Sequence, residues 1–144
     1  MKVLLDTTFL LPSLGIDVGE EALKGLKKLN QIKADIYFSR FSILETLWVA
    51  ARLSRSANFN HESFRLGLRS VLESGRYIKV EEDSEVFSEA LRLHTLGHRD
   101  MIDNILYASS IHFSLKLLTL DNELKEFIHE KGLKDTLMHP NQIS

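Results

Sequence analysis

Two short apolar runs, each closing on an aspartate, constrain the fold of this chain more than any other feature: residues 2–6 read KVLLD and 116–121 read KLLTLD. Apolar side chains at consecutive rather than alternate positions suit strands covered on both faces, as in a parallel sheet. Between these runs the pattern changes to helical spacing. Residues 7–14 turn into a short helix with Pro12 early in it, and Ala22, Leu23, Leu26, Leu29 and Ile32 recur over 19–32. Phe41, Leu44, Leu47, Trp48 and Ala51 line one face of a helix over 41–53, and Phe64, Leu68, Val71 and Leu72 mark another over 62–74. Further strands are expected at 35–39 (DIYFS), at 77–80 (YIKV) and near 136–139. A helix over 84–96 with Val86, Ala90, Leu91 and Leu93 inward ends at Gly97, since glycine tolerates the left-handed conformation there. Asp100 and Asp103 open the next helix, with Ile102, Ile105, Leu106, Ala108 and Ser109 at helical spacing, and a last helix covers 122–130. Strands alternating with helices predict an α/β fold with a parallel sheet and helices on both faces.

The length, 144 residues, fits one domain spanning the whole chain, and cysteine is absent. That excludes a disulfide framework, a thiolate metal site and a cysteine nucleophile. No apolar run approaches membrane-spanning length and the start reads as a strand rather than a signal peptide, so a cytoplasmic location is expected. The formal charge of −2, from 18 basic and 20 acidic residues, argues neither for nor against a nucleic-acid partner, because a cation-neutralised acidic cluster masks a basic surface elsewhere.

In open parallel sheets, ligands bind beyond the carboxyl ends of the strands, where the strand order reverses. Asp6 and Asp121 fall at such ends, Glu45 follows the second strand, and Asp103 sits in the first turn of the helix preceding the 116–120 run. Four carboxylates are hard oxygen ligands suited to magnesium or manganese. Unneutralised, such a cluster repels itself and raises some of its own pKa values; divalent ions relieve this and support in-line phosphodiester displacement. Each acid also has an ordinary reading. Ser42 and Glu45 form an S-x-x-E capping-box pattern, Asp100, Asp103 and Asp121 suit helix starts, and Asp6 suits a turn. His94 and His98, spaced i and i+4, read as a solvated pair near a helix end, with a zinc site as the rarer alternative. Glu81, Glu82 and Asp83 read as a solvated run. Trp48 reads as core or dimer contact rather than a base-stacking platform, and Arg40, Arg52, Arg55 and Arg99 flank the acidic edge where they can hold phosphates.

LLDTTFLL at the start, SILE around Glu45, and DNILYASS followed by LLTLD resemble the PIN-domain family of metal-dependent ribonucleases, including toxin subunits of the VapC type. The resemblance covers nearly the whole chain. It implies a three-layer α/β/α fold with a central parallel sheet of four to five strands. It also implies a Mg2+- or Mn2+-dependent endoribonuclease that hydrolyses RNA phosphodiester bonds. Asp6, Glu45, Asp103 and Asp121 correspond to the family's acidic quartet, holding the metal and carrying the catalysis. Thr119 corresponds to the hydroxyl residue two before the last acid. Thr7 and Asp100 are expected beside the ligands, with Asp100 as helix cap, and Arg40 and Arg99 as phosphate contacts. An antitoxin partner and a homodimer follow from the same likeness. Two positions depart from the pattern: Thr8 stands where asparagine or serine is usual, and Asn104 where a small residue usually follows the third acid. The main rival is a non-catalytic PIN-like scaffold that binds RNA or protein. A phosphate-transfer enzyme or receiver domain is weaker, since Thr8 occupies the second position of a D-x-D motif.

Overall fold

The computed structural model describes residues 1–143. The first apolar run forms strand β1 (Lys2–Leu5), in which Val3, Leu4 and Leu5 are wholly buried. It pairs in parallel with β2 (Asp35–Phe38) on one side and β4 (Lys116–Leu118) on the other, with Leu4 level with Tyr37 and Leu117. Short outer strands β3 (Ile78–Lys79) and β5 (Leu137–Met138) complete a sheet in the order β3-β2-β1-β4-β5. The parallel α/β fold with a sheet of four to five strands is therefore as expected, with shorter outer strands.

Alternation along β1 divides the interior into two cores. Val3 and Leu5 pack with Phe9 and with residues of α2 (Glu20–Gln31) and α4 (His61–Glu73), while Leu4 packs with α5 (Ser84–Leu96), α6 (Met101–His112) and α7 (Asn122–Glu130). Burying one such side chain contributes about 1.5–3 kcal/mol, so the doubly covered strand anchors both layers. The short α1 (Thr7–Leu10) follows β1 at once and runs into a 3-10 turn over Leu11–Leu14, with Pro12 early in it.

Several helices differ from their expected faces. α3 (Arg40–Leu53) buries the small side chains Ser42, Thr46 and Ala50, leaving Leu44, Leu47 and Trp48 outward. Leu72 and Leu91 also face out: each follows a buried residue, Val71 and Ala90, and one step along a helix rotates a side chain by about 100°. α6 is buried all round from Asn104 to Ser110, because it lies between the sheet and the neighbouring helix α5.

Gly67 lets α4 pack tightly against the 3-10 turn over Leu11–Leu14. A Cβ there would meet the Ser13 carbonyl oxygen at 2.5 Å and the Leu14 Cα at 2.7 Å, both backbone atoms of the 3-10 turn. Gly67→Ala must push α4 off this turn, and overpacking of this kind costs roughly 1–3 kcal/mol. Urea denaturation should report a loss of that size, and an unchanged midpoint would contradict the close packing.

Candidate metal centre

The chain adds β2 and β3 on one side of β1 and β4 and β5 on the other, so the strand order reverses between β1 and β4. The residues just beyond these two strands are held by backbone geometry. Asp6 caps α1, its Oδ1 accepting the Phe9 N–H at 3.3 Å. Its Oδ2 accepts the Thr119 hydroxyl at 2.6 Å, and Thr119 Oγ1 accepts the Asp121 N–H at 3.0 Å. One hydroxyl thus ties the loop after β1 to the loop after β4. Asp121 caps α7, its Oδ1 accepting the N–H groups of Glu123 at 2.9 Å and Leu124 at 3.2 Å. Asp100 caps α6 by accepting the Asp103 N–H at 3.1 Å, which sets Asp103 in the first turn. Glu45 is not part of a capping box, because the cap of α3 is Ser39, whose hydroxyl accepts the Phe41 N–H at 3.1 Å. All four acids of the expected quartet line one open cavity of about 340 Å³, together with Thr7, Thr8, Asp100 and Leu120.

Burial, and then the charge of neighbouring carboxylates, shifts Asp6 and Asp103 toward the neutral form. Burial pushes the Asp6 carboxyl up to about 6, helped by the charges of Asp121 and Glu45 and opposed by the bonds from Thr119 and Phe9. Asp103 rises further, to about 8, through burial first, then the charge of Asp100 and a shared hydrogen bond with Asp121. The Thr7 hydroxyl is buried without a hydrogen-bond partner. An all-oxygen donor set with unrelieved repulsion and a proton held between carboxylates fits a hard divalent cation.

The other expected residues scatter. Thr119 and Asp100 touch the acids as described, and Arg99 lines an adjoining cavity with Asp100, Asp103 and Asp121. Arg40 lies 3.8 Å from Glu82 and does not line the acidic cavity. Glu82 is buried, accepting the hydroxyl of Ser39 at the start of α3, and Asp83 caps α5, so the stretch 81–83 is not a solvated run. The histidine pair is likewise corrected. α5 ends before His98, which is buried and clamped to Asn104, while His94 stays exposed on the helix. The signal available in the sequence was Asn104 itself, an amide set among Ile102, Ile105, Leu106 and Ala108 that needs a buried partner.

The profile of the PIN domain matches residues 3–129. The chain belongs to the PIN-domain family, whose members are generally nucleases that use divalent metals. No match is found among curated proteins. Among solved structures, VapBC2 from Rickettsia felis bound to a DNA fragment from their promoter is similar at a TM-score of 0.65 and 15% identity, covering 96% of this chain and 98% of that one. FitAcB from Neisseria gonorrhoeae aligns at 0.60 and 16%, covering 97% and 99%. FitAB bound to an IR36 DNA fragment aligns at 0.60 and 18%, covering 99% and 97%. These likenesses are of fold.

The raised pKa values make a pH prediction for the metal-free protein. A carboxyl raised in the folded state binds its proton more tightly there than in the unfolded chain, so its stabilising contribution is complete below the unfolded value of 3.8 and is lost as pH rises through the folded value. In chelator, the melting temperature should therefore fall from pH 5 to pH 8, and fall less in Asp103→Asn. A melting temperature that stays level or climbs over this range would contradict the crowded, proton-sharing cluster.

Proposed function

We propose that this protein is a Mg2+- or Mn2+-dependent endoribonuclease, the toxin of a toxin–antitoxin pair, with Asp6, Glu45, Asp103 and Asp121 as metal ligands and catalytic residues. The observation that carries the reading is the single cavity at the β1/β4 reversal lined by these four carboxylates. Membership of the PIN-domain family supports nuclease chemistry, and the VapC-type sequence motifs support RNA as the substrate. A divalent ion held by these carboxylates would supply Lewis acidity toward the phosphodiester and make hydroxide available near neutral pH.

The chain's own residues orient that chemistry. Thr119 and the α1 N-terminus hold Asp6 in place, and the α7 N-terminus holds one oxygen of Asp121. Asp103, raised to about 8 without metal, would release its proton to solvent on holding a cation, since coordination needs the carboxylate form. Arg99, exposed beside the cavity, is the residue for a substrate phosphate; Arg40, engaged with Glu82, is a weaker candidate. Thr7 and Asp100 line the cavity beside the ligands.

The outward side chains Leu44, Leu47 and Trp48 form an apolar face on α3, which we read as the homodimer contact. Likeness to VapBC2 and FitAB, each solved bound to DNA, supports an antitoxin as a further partner.

Asp6→Asn and Asp103→Asn should each lower manganese-dependent cleavage of a single-stranded RNA by on the order of a hundredfold or more, the scale of losing one preorganised electrostatic contact, with unchanged circular dichroism. Full activity in both purified variants would sink the reading, and a folded wild type that binds neither manganese nor magnesium would favour the scaffold. Trp48→Glu should turn a dimer into a monomer in light scattering; a monomeric wild type would remove the dimer.

A further inference from the structure

His98 is held as few surface-loop histidines are. Gly97, with φ of +121°, turns the chain out of α5, and the His98 N–H donates to the Leu93 carbonyl at 3.1 Å. The ring is buried and rests against Phe127 of α7, centroids 5.2 Å apart. Asn104 grips the residue twice. Its Nδ2 donates to the His98 carbonyl at 2.7 Å, and its Oδ1 lies 2.7 Å from His98 Nδ1.

These two bonds determine the tautomer. A backbone carbonyl only accepts, so the first bond sets which end of the Asn104 amide is nitrogen; Oδ1 only accepts, so Nδ1 carries the hydrogen. The neutral ring is left with a lone pair on Nε2, which makes no hydrogen bond among the described residues. A histidine whose other nitrogen donates to a fixed acceptor is the form that binds cations. A ring nitrogen of His98 and one oxygen each of Asp103 and Asp121 lie within 4.8 Å of one another. The three residues line a cavity of about 310 Å³ that adjoins the acidic one through Asp100, Asp103 and Asp121, and neither Asp6 nor Glu45 lines it.

We propose that His98, Asp103 and Asp121 form a second divalent-cation site that shares two carboxylates with the acidic quartet and prefers manganese to magnesium. Imidazole is a softer donor than carboxylate and suits first-row transition ions, whereas magnesium keeps oxygen ligands and its waters. Asn104, the departure from the family pattern beside the third acid, is the positioning residue for this ligand. The inference rests on the reading of Asp103 and Asp121 as metal ligands, and its test separates the two.

The full chain is loaded with manganese chloride and studied by pulsed electron paramagnetic resonance, once with ordinary and once with isotope-labelled histidine. Nitrogen modulation that shifts with the label and disappears in His98→Gln is the expected result. In calorimetry the same variant should lose on the order of tenfold in manganese affinity while magnesium affinity barely changes. Bound manganese with no nitrogen modulation, modulation that persists in His98→Gln, or equal loss of both metals would overturn the His98 site and leave the carboxylate reading standing. Failure of the wild type to bind manganese at all would overturn both. The labelling comparison uses the wild type, so nitrogen ligation is read without depending on the variant's folding.

Discussion

The parallel pairing of β1 with β4, with Leu5 level with Leu118, brings two stretches far apart in sequence into one place. The ladder runs one residue past β1, the Asp6 N–H donating to the Leu118 carbonyl at 3.2 Å, and from there the Thr119 hydroxyl reaches Asp6. Residues more than a hundred positions apart in the chain thereby share a hydrogen bond. The doubly buried β1 makes this pairing hard to shift, because a one-residue slip would exchange the sets of side chains facing the two cores.

Upon that ladder sits a cluster whose mutual repulsion works against the fold. Burial and neighbouring charge raise Asp6 and Asp103, and at Asp6 the Thr119 hydroxyl and the Phe9 N–H oppose the rise. Three of the acids around the cavity, Asp6, Asp100 and Asp121, are N-caps, each accepting a backbone N–H at the start of a helix. The ordinary reading of these acids as caps and the functional reading as ligands are compatible: capping by Asp121 uses only Oδ1, and the residue lines the acidic cavity. Glu45 differs, being a residue of the second turn of α3 whose helix is capped by Ser39, so capping gives it no reason to be there.

The helices show where periodicity informs and where it misleads. On α3 the large apolar side chains form a regular stripe, yet the small residues Ser42, Thr46 and Ala50 are the ones buried, on a helix whose main packing partner is α1. Periodicity reports that a helix has an apolar face; it does not report whether the covering surface belongs to the same chain. α6 is the reverse case, enclosed on all sides, so its stripe understates its burial.

The order and type of elements, the parallel sheet, and the acids at strand ends and helix starts were determined by the sequence, because each is a local consequence of apolar run length, helical spacing and capping chemistry. The helix over Asn122–Glu130 and the one over Ser84–Leu96 with its glycine stop could be read residue by residue. Tertiary structure alone decided that Asp6, Glu45, Asp103 and Asp121 line one cavity rather than four separate turns, since that depends on the strand order reversing between β1 and β4. It also decided the fate of residues whose neighbours are distant in sequence: Glu82 buried under Ser39, and His98 turned inward by an asparagine on the next helix. A polar side chain's partner is a matter of three-dimensional proximity, and no spacing rule along one helix or strand contains it.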